Sequence, residues 1–136
     1  MIVADANLVA QVLLGGREIK IAEAVFHRDP AWAAPLLWRS EFRSILAAYM
    51  RQRDLSLTDA WTAHEFAERL FVGREFAVGG DTVLRLVAES KCSSYDCEYV
   101  ALAQSLDCPL VTWDRQILRE FPAVAASPAA FVGDTA

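Results

Sequence analysis

Four acidic residues, Asp5, Glu41, Asp96 and Asp114, stand where chemistry could use them. Asp5 ends the short apolar run Ile2–Ala4, and Asn7 follows two positions later. An apolar run with β-branched residues that stops at an acid reads as a buried strand whose last residue emerges at the sheet edge. Asp114 repeats the pattern after Leu110-Val111-Thr112-Trp113. Thr112 precedes it by two, which puts both side chains on one face of an extended chain. Glu41 shares the stripe Leu37, Glu41, Ile45, Ala48, an acid on an apolar helix face. Such an acid is costly unless it is paired, neutralised or bound to a cation. Asp96 follows Ser93 by three in the first turn of a helix, a loose capping box with Asp in place of Glu or Gln. Glu98 lies about 200° further round that helix and reads as surface charge.

Taken one at a time, each acid has a plainer reading. Asp114 and Asp96 fit helix caps. Glu41 could pair with Arg43 or another Arg, or sit at the margin of its stripe. Taken together, four carboxylates are the donor set of a hard cation such as Mg²⁺, which prefers oxygen ligands and commonly shares them with water and substrate phosphate. A cation so held lowers the pKa of a bound water and stabilises charge on phosphate. Bare carboxylates repel phosphate, so such a site should be inert without its metal.

The elements that must position these residues alternate strand and helix. Helical spacing runs over Ala6–Leu14, Ile19–Arg28, Leu36–Gln52, Leu57–Val72, Thr82–Ser90, Tyr95–Leu106 and Asp114–Phe121. Ser56 or Thr58 caps the fourth of these and Asp81 the fifth. Strands are expected at Trp32–Ala34, Glu75–Val78 and Pro109–Trp113, with an edge strand at Ala129–Val132. This alternation predicts an α/β fold with three layers: a central, mostly parallel sheet of four to five strands flanked by helices. In such sheets ligands bind at the carboxyl ends of the strands, where Asp5 and Asp114 fall. A single domain over 1–132 is expected, with a C-terminal tail at 133–136.

Composition narrows the classes. The 136 residues are 54% hydrophobic, which suits a packed domain. No run approaches the roughly 18 apolar residues of a membrane span, so no membrane partner is expected. Asp5 stands where a signal peptide would be apolar, which argues against export. Cys92, Cys97 and Cys108 are an odd count without CxxC spacing. That is neither a disulfide framework nor a thiolate metal site, and a cytoplasmic location follows. Cys97 reads as a packed small hydrophobe. His27 and His64 sit among charged residues and read as solvated surface. A net charge of −5 argues against a basic nucleic-acid-binding surface. If four acids serve a cation, however, the remainder sums to only −1. Arg outnumbers Lys, which stands only at Lys20 and Lys91. Arg suits phosphate, but genome composition is the better explanation of the bias.

The segments MIVADAN, LLWRSEFRSIL, SSYDCEYVALA and LVTWDRQIL carry the four acids in the order Asp, Glu, Asp, Asp. In order and spacing they resemble the motifs of PIN-domain ribonucleases. The match is closest to the small VapC-type toxins of type II toxin–antitoxin systems, and it runs from Met1 to about Val132. The resemblance implies a PIN-like fold and Mg²⁺- or Mn²⁺-dependent endonucleolytic cleavage of single-stranded or loop RNA, with a metal-activated water attacking the phosphodiester. Asp5, Glu41, Asp96 and Asp114 would form the acidic catalytic and metal-binding set, supported through hydrogen bonds by Asn7 and Thr112. Arg39, Arg43 and Arg115 flank these residues and are candidates for RNA backbone contacts. A homodimer and a VapB-type antitoxin partner are implied. Many relatives have a further Asp shortly after the last one, where this chain reads Arg115-Gln116-Ile117, so one or two ions are expected. Other classes are a PIN nuclease of RNA processing, which would not be a toxin, and a PIN-fold binding or regulatory module. A receiver domain would need a Lys after a late strand. An Asp-x-Asp phosphatase would need Asp where Asn7 stands.

Overall fold

A computed structural model describes residues 1–133. In chain order the elements are β1 (Ile2–Ala4), α1 (Ala6–Leu14), α2 (Ile19–Arg28), β2 (Trp32–Pro35), α3 (Trp38–Gln52), α4 (Leu57–Leu70) and β3 (Glu75–Phe76). There follow α5 (Gly80–Glu89), α6 (Ser94–Leu106), β4 (Leu110–Val111), α7 (Arg115–Glu120), β5 (Ala125–Ala126) and α8 (Pro128–Val132). Residues 134–136 of the expected tail lie outside the described residues.

The five strands form one parallel sheet in the order β3-β2-β1-β4-β5. Strand alternation sets the layers. Ile2 and Ala4 of β1, Trp32 and Ala34 of β2, and Val111 of β4 pack into one apolar cluster with α1–α4. Val3, Ala33 and Leu110 point the other way, into a second cluster with α5, α6 and α7. All these strand residues are fully buried, as befits a sheet covered on both faces.

The chain moves outward from β1 to β2 and β3, then returns to lay β4 on the other side of β1. The strand order therefore reverses between β1 and β4, where their carboxyl ends leave a crevice. Val3 pairs with Leu110 and Ala4 with Val111, so Asp5 and Thr112 leave the sheet side by side.

Several boundaries differ from the sequence expectation. The segment Ala129–Val132 is helical, not an edge strand: Ser127 caps α8 through the Ala130 N–H, and Pro128 occupies its first turn, where proline suits a helix start. The edge strand is Ala125–Ala126. The fifth helix starts at Gly80, with Gly79 as its cap and Asp81 inside the first turn, where an acid favours the helix dipole. Helix α3 starts at Trp38, because the Leu36 N–H still bonds to Phe76 in sheet fashion. Ser56, not Thr58, caps α4. His64 is buried, only 5% exposed. Its Nε2 accepts from Arg43 Nε at 3.1 Å, its Nδ1 lies 2.8 Å from Glu68, and its ring stacks on Trp61. Aromatic packing and two polar partners account for a burial that its charged sequence neighbours concealed.

Candidate active site

Asp5 is the first residue beyond β1 and the cap of α1, so strand and helix both fix it. Its Oδ1 accepts the Leu8 N–H at 2.9 Å, and its Oδ2 accepts the hydroxyl of Thr112. The same hydroxyl accepts the Asp114 N–H at 3.0 Å. Thr112 is fully buried, and this relay ties the ends of β1 and β4 together. Asp114 caps α7 with one carboxylate oxygen, which accepts the Ile117 N–H at 2.9 Å.

Asp96 lies in the first turn of α6, where its N–H donates to the Ser93 hydroxyl at 3.1 Å. Glu41 lies in the first turn of α3. Both are half-buried. Asp5, Glu41, Asp96 and Asp114 line one cavity of about 410 Å³. The structure thus brings together residues from four separate segments.

The electrostatics record the crowding. Burial raises the pKa of Asp5 most, the bonds from Thr112 and Leu8 lower it, and the charge of Asp114 raises it again. Burial also pushes up Glu41, the Tyr99 hydroxyl draws it back, and Asp5, Asp96 and Glu98 add upward pressure. Asp96 is raised by burial and then by Asp114, with Ser93 opposing. Among the described residues, no Lys, Arg or His forms an ion pair with any of the four acids. Glu98 is half-buried and its charge reaches Glu41, so it is more than distant surface charge.

The donor chemistry fits a hard cation. The four acids offer only oxygen, and no His or Cys lines the cavity. The cysteines are free, and burial pushes the Cys92 thiol up to about 11. Among the described residues no three His, Cys, Asp or Glu side chains stand close enough together to hold one metal ion between them. A wide cleft suits Mg²⁺, which keeps several of its waters and needs only one or two protein carboxylates, better than a closed tetrahedral site.

Asn7 is exposed on the first turn of α1 and lines the same cavity. Its backbone N–H, rather than its side chain, supports Asp5. None of the three candidate arginines lines the cavity. Arg39 makes a two-pronged bond with Glu75, at 2.8 and 2.9 Å. Arg43 donates to His64. Arg115 is exposed, one residue beyond Asp114.

Sequence reasoning passed over Tyr99 and Trp113, which also line the cavity. The signal for Tyr99 was its i+3 spacing from Asp96, which shares a helix face. For Trp113 it was adjacency to Asp114.

The fold is that of several solved structures. PAE2754 from Pyrobaculum aerophilum matches with a TM-score of 0.75 at 21% identity, over 97% of this chain and 93% of that one. FitAcB from Neisseria gonorrhoeae matches with a TM-score of 0.74 at 16% identity, over 94% of this chain and 98% of that one. A toxin–antitoxin complex from Klebsiella pneumoniae matches with a TM-score of 0.70 at 17% identity, again over 94% and 98%. At these identities the likeness is one of fold, and it bears out the expected three-layer, PIN-like α/β arrangement. No family model matches the chain, and no curated protein sequence matches it. No helix among the described residues is long and apolar enough to cross a membrane.

Proposed function

We propose that this chain is a Mg²⁺- or Mn²⁺-dependent endoribonuclease of the VapC type, the toxin of a toxin–antitoxin pair. Its substrate is single-stranded or loop RNA, and it acts in the cytoplasm as one domain over 1–132. The observation that carries the reading is the set of four carboxylates around one crevice, at the strand-order reversal, without a paired side-chain cation among the described residues. One of the matched folds is itself solved as a toxin–antitoxin complex, which supports a VapB-type antitoxin as partner. A homodimer is part of the same proposal.

Asp5, Glu41, Asp96 and Asp114 would hold one or two divalent ions. Once bound, the ion supplies an activated water and a Lewis acid for the scissile phosphate. The chain's own residues set the geometry. Thr112 and the Leu8 N–H hold Asp5 in one orientation. The α7 cap fixes Asp114. Asn7 stands exposed on the cavity wall, where its amide can orient water or a ribose hydroxyl. Arg115, exposed beside Asp114, is placed to meet a phosphate, whereas Arg39 and Arg43 are engaged elsewhere.

The test is cleavage of a single-stranded RNA panel by the purified protein. Cleavage should require Mg²⁺ or Mn²⁺, stop on adding EDTA and return with excess metal. Asp5→Asn and Asp96→Asn should abolish it with the fold intact, because Asn keeps the side-chain shape and the capping ability. Undiminished cleavage by either variant, or cleavage indifferent to EDTA, would overturn the assignment. Folded protein that cleaves nothing but binds a partner would favour the regulatory module.

A further inference from the structure

The four acids are not equally held. Asp5 has two donors, Asp114 has the Ile117 N–H, and Asp96 has the support of Ser93. Glu41 has no hydrogen bond of full geometry among the described residues, although it carries the longest and most rotatable of the four side chains. Across the cavity wall, Tyr99 shows the complementary deficit. It is 4% exposed, its hydroxyl is wholly shielded, and that hydroxyl has no hydrogen-bond partner. A buried hydroxyl left unpaired in a native structure is unusual and calls for a reason. Both residues line the cavity, and the hydroxyl is close enough to Glu41 to influence its ionisation.

We infer that Tyr99 is a positioning residue for the cation site: its hydroxyl donates to the outer oxygen of Glu41 and aims the inner oxygen at the ion. This rests on the metal-dependent reading above. Donors behind a metal-ligating carboxylate orient it and favour its ionised form, the form that binds a cation. The hydroxyl lies near enough to Glu41 to favour its ionised form, yet it makes no hydrogen bond of full geometry. A small rotation of the Glu41 side chain would complete that bond and leave its other oxygen for a cation. Of the other polar lining side chains, Asn7 belongs to the Asp5 side of the cleft, and Ser44, on the Glu41 helix, is exposed and makes no hydrogen bond to Glu41.

The experiment compares wild type with Tyr99→Phe, which keeps the ring and removes only the hydroxyl. Mn²⁺ binding is measured by calorimetry, metal-free stability by thermal melting, and the tyrosine ultraviolet difference spectrum is recorded on adding Mg²⁺. Expected are a roughly 10-fold or greater loss of Mn²⁺ affinity, an unchanged or higher melting temperature without metal, and loss of the Mg²⁺-induced tyrosine band. Equal Mn²⁺ affinity in the two proteins would overturn the inference while leaving the metal reading standing. A weaker affinity accompanied by a lower metal-free melting temperature would make Tyr99 a packing residue and also overturn it. A wild type that binds neither ion would refute the metal reading, and this inference with it.

Discussion

Replacing Thr112 with valine keeps the branched shape of the side chain and deletes one hydroxyl. In this structure that hydroxyl donates to the Asp5 carboxylate and accepts from the Asp114 N–H. Thr112 is fully buried, so no water occupies its place directly. A hydrogen bond to a charged group contributes about 1.5–3 kcal/mol, and an orphaned backbone N–H costs about 1–3 kcal/mol. Asp5 and Asp114 still reach the cleft and its water, which argues for the low end of both. The expected loss is about 2–4 kcal/mol, roughly 10 °C in melting temperature for a chain of this length. The hydroxyl stabilises the ionised form of Asp5 and lowers its pKa. That part of its contribution is therefore present while Asp5 is charged and lost as pH falls through the folded-state pKa. The assay is urea denaturation of wild type, Thr112→Val and Thr112→Ser across pH 4–8. The serine variant retains the relay and should lose only about 1 kcal/mol for its methyl group. A valine variant within about 0.5 kcal/mol of wild type, or one penalised more in acid than at neutrality, would refute the reasoning.

Two further outcomes follow from the charges. Asp5, Glu41 and Asp96 are all raised above their ordinary values of 3.8, 4.5 and 3.8, so the folded protein binds their protons more tightly than the unfolded chain does. Their contribution to stability therefore falls as pH rises from those values through the raised ones. Metal-free Asp96→Asn should gain on wild type as pH rises, and saturating Mg²⁺ should erase the gain by stabilising only the charged site. Melting curves with and without Mg²⁺ check this, and a gain that shrinks with pH would contradict it. Glu75 behaves oppositely, because the Arg39 guanidinium and the Trp38 N–H hold its pKa down. Glu75→Ala should cost about 2 kcal/mol at neutrality. That cost should diminish below pH 4.5, where the wild-type carboxylate begins to lose the same interaction.

The layering was legible because apolar runs separated by amphipathic helices leave few alternatives to a parallel sheet. Three of the acids were legible because they break a local rule: Asp5 and Asp114 end apolar runs, and Glu41 interrupts an apolar stripe; Asp96 obeys the capping rule and stood out only in register with the other three. The errors have local physical causes. Ala129–Val132 looked like a strand because four small and apolar residues have no period, while the decisive signal, Ser127-Pro128, lay just before them. His64 was misread because its burial depends on Trp38, Trp61 and Arg43, which come from other turns and another helix. Arg39 and Arg43 flank Glu41 in sequence, yet Glu75 and His64 take up their side chains. Tyr99 reads as one more core aromatic until its hydroxyl is traced and found unpartnered.

The pairing of β4 against β1 also has a consequence for biosynthesis. Strand β1 is made first, and its neighbour arrives more than 100 residues later. A growing chain that has exposed residues 1–109 already displays Asp5, Glu41 and Asp96 but lacks both Thr112 and Asp114. The crevice then has one wall, and the Asp5 carboxylate has no hydroxyl to receive. The acidic cluster therefore stays incomplete until β4 has been made and laid against β1. The four-acid crevice is among the last features the molecule acquires.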